Sequence, residues 1–192
     1  MRVGIVGGSF DPIHYGHLEI AREVLDNIDV EEVWMMPCYK HVFGKKTESF
    51  EHRKNMIDLA LEEFGESRIR VSDFENRRKG VSYTVDTVRG LLKEDPGMEI
   101  YWAVGSDIME SFEQWKEPYE LIKLAKLVIL SRNGNEPAYV PENSIYLRNS
   151  RIMNVSSTKI KKLLREGKPI DGLTPEPVID YIRENGLYLS GI

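Results

Sequence analysis

Cysteine is almost absent: Cys38 is the one cysteine in 192 residues. That excludes an intramolecular disulfide and any multi-cysteine zinc site, and a reducing cytoplasm is the expected home. Long apolar runs are missing too. No stretch approaches the ~20 apolar residues of a membrane span, so no membrane association is expected. The run Val3–Val6 is too short for a signal peptide and ends in glycines. Positive charge is not in excess. Lys and Arg number 26 against 31 Asp and Glu, a net charge of −5, whereas nucleic-acid binders are more often basic, so neither DNA nor RNA is an expected partner. Three motifs are lacking: the Gly-x-Gly-x-x-Gly dinucleotide fingerprint, the Gly-x-x-x-x-Gly-Lys-Ser/Thr P-loop, and His-Glu-x-x-His. There is no internal repeat and no low-complexity tract.

What is present is an alternation. Apolar runs at Val3–Val6, Glu32–Met36, Ile69–Ser72, Ile100–Val104, Leu127–Leu130 and Ile145–Leu147 read as strands. Between them Leu18, Ala21, Val24 and Leu25 recur at helical spacing, as do Met56, Ile57, Ala60, Leu61 and Phe64. A third helix carries Val85, Val88, Leu91 and Leu92, with Ser82 as its expected cap. Strands separated by helices predict an α/β fold, a doubly wound and mostly parallel sheet with helices on both faces. Residues 1–192 read as one domain, 150–192 being a small helical C-terminal extension. In it one helix starts at Ser156 or Ser157 and stops at Gly167; another runs from near Pro175 to before Gly186. Residues 37–48, with Lys40, Lys45 and Lys46, and residues 132–143 read as loops.

The chemistry centres on Gly8-Ser9-Phe10-Asp11-Pro12-Ile13-His14-Tyr15-Gly16-His17, directly after the first strand. Ligands of parallel sheets sit at the carboxyl ends of strands. Gly7 and Gly8 are expected to make a tight turn that exposes N–H groups. The following helix start attracts phosphate through its unpaired N–H groups and partial positive charge. His14 and His17 are three apart, on one helical face, and each imidazole can donate to a phosphate oxygen. Gly16 leaves room for close approach. As metal ligands the two histidines lack a third partner, and as incidental surface residues they leave the glycines unexplained.

This decapeptide resembles the (H/T)xGH signature of the nucleotidyltransferase superfamily, whose fold is Rossmann-like. Val155-Ser156-Ser157-Thr158-Lys159-Ile160-Lys161 resembles its second signature, ISSTxxR. Alone, a serine-rich helix start is more often a plain N-cap. Ser82-Tyr83-Thr84 after Arg77-Arg78-Lys79, Val104-Gly105-Ser106-Asp107 followed by Trp115, and Tyr181 to Tyr188 are similar to segments of the bacterial nicotinate mononucleotide adenylyltransferases. The resemblance implies adenylyl transfer from ATP, helped by Mg²⁺ bound mainly through the ATP phosphates. His14 and His17 would be the catalytic pair, with His17 nearest the α-phosphate. The backbone of Gly8, Ser9 and Phe10 would bind the nucleotides. Gly105 and Asp107 would hold ribose hydroxyls, and Ser156, Ser157, Thr158 and Lys161 the ATP phosphates. Trp115 would stack on a pyridine ring lined by Tyr83 and Thr84. No resident metal site is implied; a homo-oligomer is compatible with the family.

Two departures qualify the match. Lys161 stands where the signature has arginine, which keeps the charge and loses the planar fork. Residues Pro37 to Lys46 replace a Pro-His-Lys element with a looser arrangement around His41. Three readings stay open beside the acid mononucleotide: the amide mononucleotide, phosphopantetheine, and a nucleotide sensor without turnover. Trp115 as core, Asp107 as a plain helix cap, and Tyr83 with Thr84 as an ordinary first turn are the simpler alternatives.

Overall fold

The computed structural model describes residues 1–42, 44–131, 135–150 and 152–189. Its strands are β1 (Arg2–Gly8), β2 (Glu32–Pro37), β3 (Ile69–Val71), β4 (Glu99–Gly105), β5 (Lys126–Leu130) and β6 (Ile145–Leu147). They form one sheet in the order β3-β2-β1-β4-β5-β6. Every neighbouring pair is parallel. The six strands expected from the apolar runs are all present. The chain winds outward from β1 to β3, then returns to β4 on the other side of β1. That reversal makes a crevice between β1 and β4 at the carboxyl edge.

The helices are α1 (Tyr15–Asn27), α2 (Phe50–Phe64), α3 (Phe74–Arg78), α4 (Thr84–Glu94), α5 (Pro118–Leu124), α6 (Ser157–Arg165) and α7 (Glu176–Glu184), with a 3-10 helix at Ser106–Gln114. They cover both faces because buried strands are apolar on both sides. Along β4, Tyr101 and Ala103 join the layer that holds Leu18, Met56, Ile160 and Val178. Ile100, Trp102 and Val104 face the opposite layer, with Val85, Val88, Phe112 and Leu121. The period-2 alternation of side chains in a strand thus builds two cores from one sheet.

Helix ends follow local chemistry, with two differences from expectation. Ser156 caps α6 by accepting from the Lys159 N–H at 3.2 Å. Beyond α6, Gly167 adopts φ 63 while the Lys168 N–H reaches back to the Leu163 carbonyl, a glycine stop. Ser82 does not cap α4. The N-cap is Tyr83, and Ser82 Oγ instead accepts from the Tyr39 N–H at 2.9 Å, because the loop after β2 needs an acceptor there. Nor do Gly7 and Gly8 make the turn. Both stay in β1, paired with Met36 and Pro37. A Cβ on Gly7 would meet the Trp102 ring at 2.6 Å, so this glycine serves close packing. The left-handed residue is Phe10, at φ 49. Of the loops, residues 135–143 form no named helix or strand; 132–134 and Phe43 lie outside the described residues.

Candidate active site

Beyond β1, His14 is the N-cap of α1, with extended backbone, and His17 is its third helical residue. The expected shared face is therefore an N-cap facing N3. The His14 N–H donates to His17 Nδ1 at 3.3 Å, and the two rings stack at 3.7 Å with 20° between planes. A neutral imidazole that accepts at Nδ1 carries its proton on Nε2, so His17 is set as a donor there. Phe10, fully buried, backs the His17 ring at 4.8 Å. A Cβ on Gly16 would lie 3.1 Å from the Met153 carbonyl oxygen and 3.2 Å from His14 Nδ1. Gly16 thus lets protein backbone come close.

The opposite wall is the start of α6. Ser157 Oγ donates to the Pro12 carbonyl at 2.9 Å, so the second motif holds the first. Between them lies a cleft of about 220 Å³ lined by Ser9, Phe10, His14, Gly16, His17, Lys45, Ser156, Ser157 and Thr158. Two helix N-termini meet in it, and neither α1 nor α6 has an acidic residue in its first turn. Carboxylates would ordinarily be favourable there. Their absence leaves both partial positive charges to an external anion.

The turn that carries the histidines is gripped from several sides. Asp11, 1% exposed, accepts from Lys161 Nζ at 2.6 Å, Tyr188 OH at 2.8 Å and the Glu48 N–H at 3.1 Å. Burial, then the Asp11 carboxylate, pushes the Tyr188 phenol far above its ordinary range, so it stays a neutral donor. Thr174 Oγ1 donates to the Ile13 carbonyl at 2.8 Å. Arg53, also 1% exposed, donates to the carbonyls of Ser9 at 2.8 Å, Cys38 at 2.8 Å and Glu48 at 3.0 Å. Lys161, expected at phosphate, is spent on Asp11 and does not line the cleft.

A second group of expected residues lies beyond this cleft. Gly105 ends β4, level with Leu130 at the end of β5; exposed Asp107 follows in the first turn of the 3-10 helix. Half-buried Trp115 packs 5.7 Å from Phe112. Its neighbour Lys116 sits 5.0 Å above the Tyr83 ring and bonds both oxygens of Asp86, at 2.9 and 2.7 Å. Arg89 pairs with Glu117 through two bonds, at 3.0 and 2.6 Å. The Trp115 segment is therefore fastened to the start of α4, where Tyr83 and Thr84 sit. The loop after β2 joins the same region: Glu75, buried, accepts from Thr87 Oγ1 at 2.7 Å and the Tyr39 N–H at 3.3 Å.

Sequence reading missed Asp11, Arg53, Thr174 and Tyr188. Arg53 had a signal. It falls on the stripe Arg53, Met56, Ile57, Ala60, the buried face of α2. An arginine on an apolar stripe needs partners, because a buried charge is costly without them. Asp11 and Tyr188 meet across the chain's whole length, and nothing local announces that.

A parallel sheet with its topological switch at β1 and β4, and two helix N-termini on one cleft beside stacked histidines, make a site for an anionic nucleotide, and the relatives of this chain make it a nucleotidyltransferase. Residues 5–163 match the cytidylyltransferase-like family. A protein of Methylacidiphilum infernorum named as a probable nicotinate-nucleotide adenylyltransferase is 36% identical over 190 residues, covering 98% of this chain and 92% of its own. One of Aquifex aeolicus, named likewise, is 39% identical over 171 residues, covering 83% and 100%. The chain belongs to the nicotinate-nucleotide adenylyltransferase family. In fold it is similar to the Plasmodium falciparum nicotinic acid mononucleotide adenylyltransferase complexed with NaAD, at TM-score 0.83, 22% identity and 97% coverage of both chains. The same enzyme complexed with APC gives TM-score 0.80, with 97% and 96% covered. Among the described residues no helix is long and apolar enough to cross a membrane.

Proposed function

We propose that this chain transfers the adenylyl group of ATP to nicotinate mononucleotide, giving deamido-NAD and pyrophosphate. The observation that carries the reading is the junction of the α1 and α6 N-termini beside the His14–His17 stack. It offers several hydrogen-bond donors to phosphate oxygens. The 5′-phosphate oxygen of the mononucleotide attacks the α-phosphorus in line. The bond from that phosphorus to the bridging oxygen breaks, and pyrophosphate leaves with the electron pair. The attacking oxygen is already anionic, so no general base is needed. Catalysis is positioning plus stabilisation of charge on the transferred group.

In this reading His17 donates from Nε2 to the α-phosphate, and His14 supports it through the stack. The α6 start, with Ser156, Ser157 and Thr158, takes the β- and γ-phosphates. Lys45, in the cleft wall, adds positive charge. The backbone of Gly8, Ser9 and Phe10 approaches the nucleotides. Gly105 and Asp107 hold ribose hydroxyls, since a carboxylate accepts from a vicinal diol. Trp115, Tyr83 and Thr84 receive the pyridine ring. Lys161 acts through Asp11. Mg²⁺ would arrive on the phosphates of ATP and offset their charge.

The test is pyrophosphate release from ATP and Mg²⁺ with each acceptor in turn: nicotinate mononucleotide, nicotinamide mononucleotide and phosphopantetheine. Release with the first is expected at the highest kcat/KM. ATP binding with no release for any acceptor would make the chain a sensor.

A further inference from the structure

Arg53 is a buried cation to which the mechanism above gives no part. Its side chain sits on α2, and its three bonds go to backbone carbonyls of three separate segments: Ser9 after β1, Cys38 after β2, and Glu48 before α2. The Ser9 carbonyl matters most. In a planar trans peptide the carbonyl and the following N–H point in opposite directions. With the Ser9 oxygen drawn onto Arg53 Nη1, the Phe10 N–H is turned to the other side. Ser9 and Phe10 both line the cleft between α1 and α6, and among the described residues no acceptor is bonded to the Phe10 N–H. Phe10 holds φ 49, a conformation that a side-chain-bearing residue adopts only when its surroundings impose it. Buried Asp11, bonded to Lys161, Tyr188 and the Glu48 N–H, fixes the next residue.

We infer that Arg53 is a positioning residue that orients the Ser9–Phe10 peptide so that the Phe10 N–H donates to a phosphate in the cleft. The inference deepens the adenylyl-transfer reading and rests on it for the identity of that phosphate. The guanidinium suits the task better than an ammonium would. Its fork reaches three carbonyls at fixed angles. Lysine at this position would keep the charge and lose the geometry.

Pyrophosphate serves as the probe, with wild-type protein carrying [¹⁵N]phenylalanine and the variant Arg53→Lys. In the wild type the Phe10 amide proton should move downfield as pyrophosphate saturates the cleft. In Arg53→Lys, folded by circular dichroism, that shift should shrink, pyrophosphate affinity should fall about tenfold or more, and kcat should fall at temperatures well below its Tm. A merely structural role would lower Tm and leave the affinity and the kcat of the folded protein as in the wild type. A Phe10 amide that ignores saturating pyrophosphate overturns the inference even if the variant does not fold. Wild-type protein that shows the amide shift yet releases no pyrophosphate from ATP would instead refute the adenylyl-transfer reading and leave the clamp standing.

Discussion

Lys161 Nζ lies 2.6 Å from Asp11 Oδ2, across 150 positions of sequence. The pair is nearly enclosed, with side chains 13% and 1% exposed. Such a pair stabilises little against an apolar alternative, but removing one partner strands a buried charge at about 3–5 kcal/mol. Lys161→Met should therefore lower Tm by roughly 6–20 °C, at 2–4 °C per kcal/mol for a chain of this size. The KM for ATP should change less than about threefold, because the lysine is committed to Asp11. Thermal unfolding and ATP kinetics check both. An unchanged Tm with a KM raised tenfold would reassign Lys161 to phosphate.

His17→Ala should lower kcat by on the order of 10²–10³, the usual loss for a transition-state donor. Steady-state pyrophosphate release measures it. The His14 N–H would lose its acceptor at Nδ1, so the unfolding free energy should fall by about 1 kcal/mol. Near-wild-type turnover in the folded variant would remove His17 from the mechanism.

Trp115→Ala should raise KM for the mononucleotide and leave that for ATP unchanged. Base–aromatic stacking is worth ~1–3 kcal/mol, or roughly 5–150-fold. Because the segment is fastened by Lys116–Asp86 and Glu117–Arg89, Asp86→Asn should produce a weaker effect in the same direction. Equal changes in both KM values would show that Trp115 is core.

Alkaline stability tests the Tyr188–Asp11 bond. Burial and the neighbouring carboxylate raise the folded phenol above its unfolded value of 10. The folded state then holds a proton that the unfolded state gives up. This contribution is complete below about pH 10 and is lost as pH rises further, at most by about 1.4 kcal/mol per pH unit. Unfolding free energies between pH 9 and 11 should fall more steeply for the wild type than for Tyr188→Phe. Parallel slopes would mean that the phenol ionises freely in the folded protein.

The six strands and α1, α2, α4, α6 and α7 were legible because each announces itself within a short window: alternating or continuous apolar runs, and Leu18, Ala21, Val24 at helical spacing; α3 and α5, of five and seven residues, are too short to show a period. The Gly8–His17 and Val155–Lys161 segments, which meet at one cleft, were legible for the same reason. Their mutual hold was not. That Ser157 bonds the Pro12 carbonyl, or that Arg53 collects three carbonyls, depends on how the sheet brings α2 and α6 to one strand end. Ser82 shows the opposite error. A serine before a helix looks like a cap, yet here a loop amide from 43 residues earlier takes its oxygen.

The most direct test is a competition. Wild-type protein is given [α-³²P]ATP with Mg²⁺ and equal nicotinate and nicotinamide mononucleotides, and the labelled products are separated. The account predicts label in deamido-NAD, with at least tenfold less in NAD and none on the protein, as a direct in-line transfer requires. Label divided equally between the dinucleotides, or trapped covalently on the protein, would contradict it.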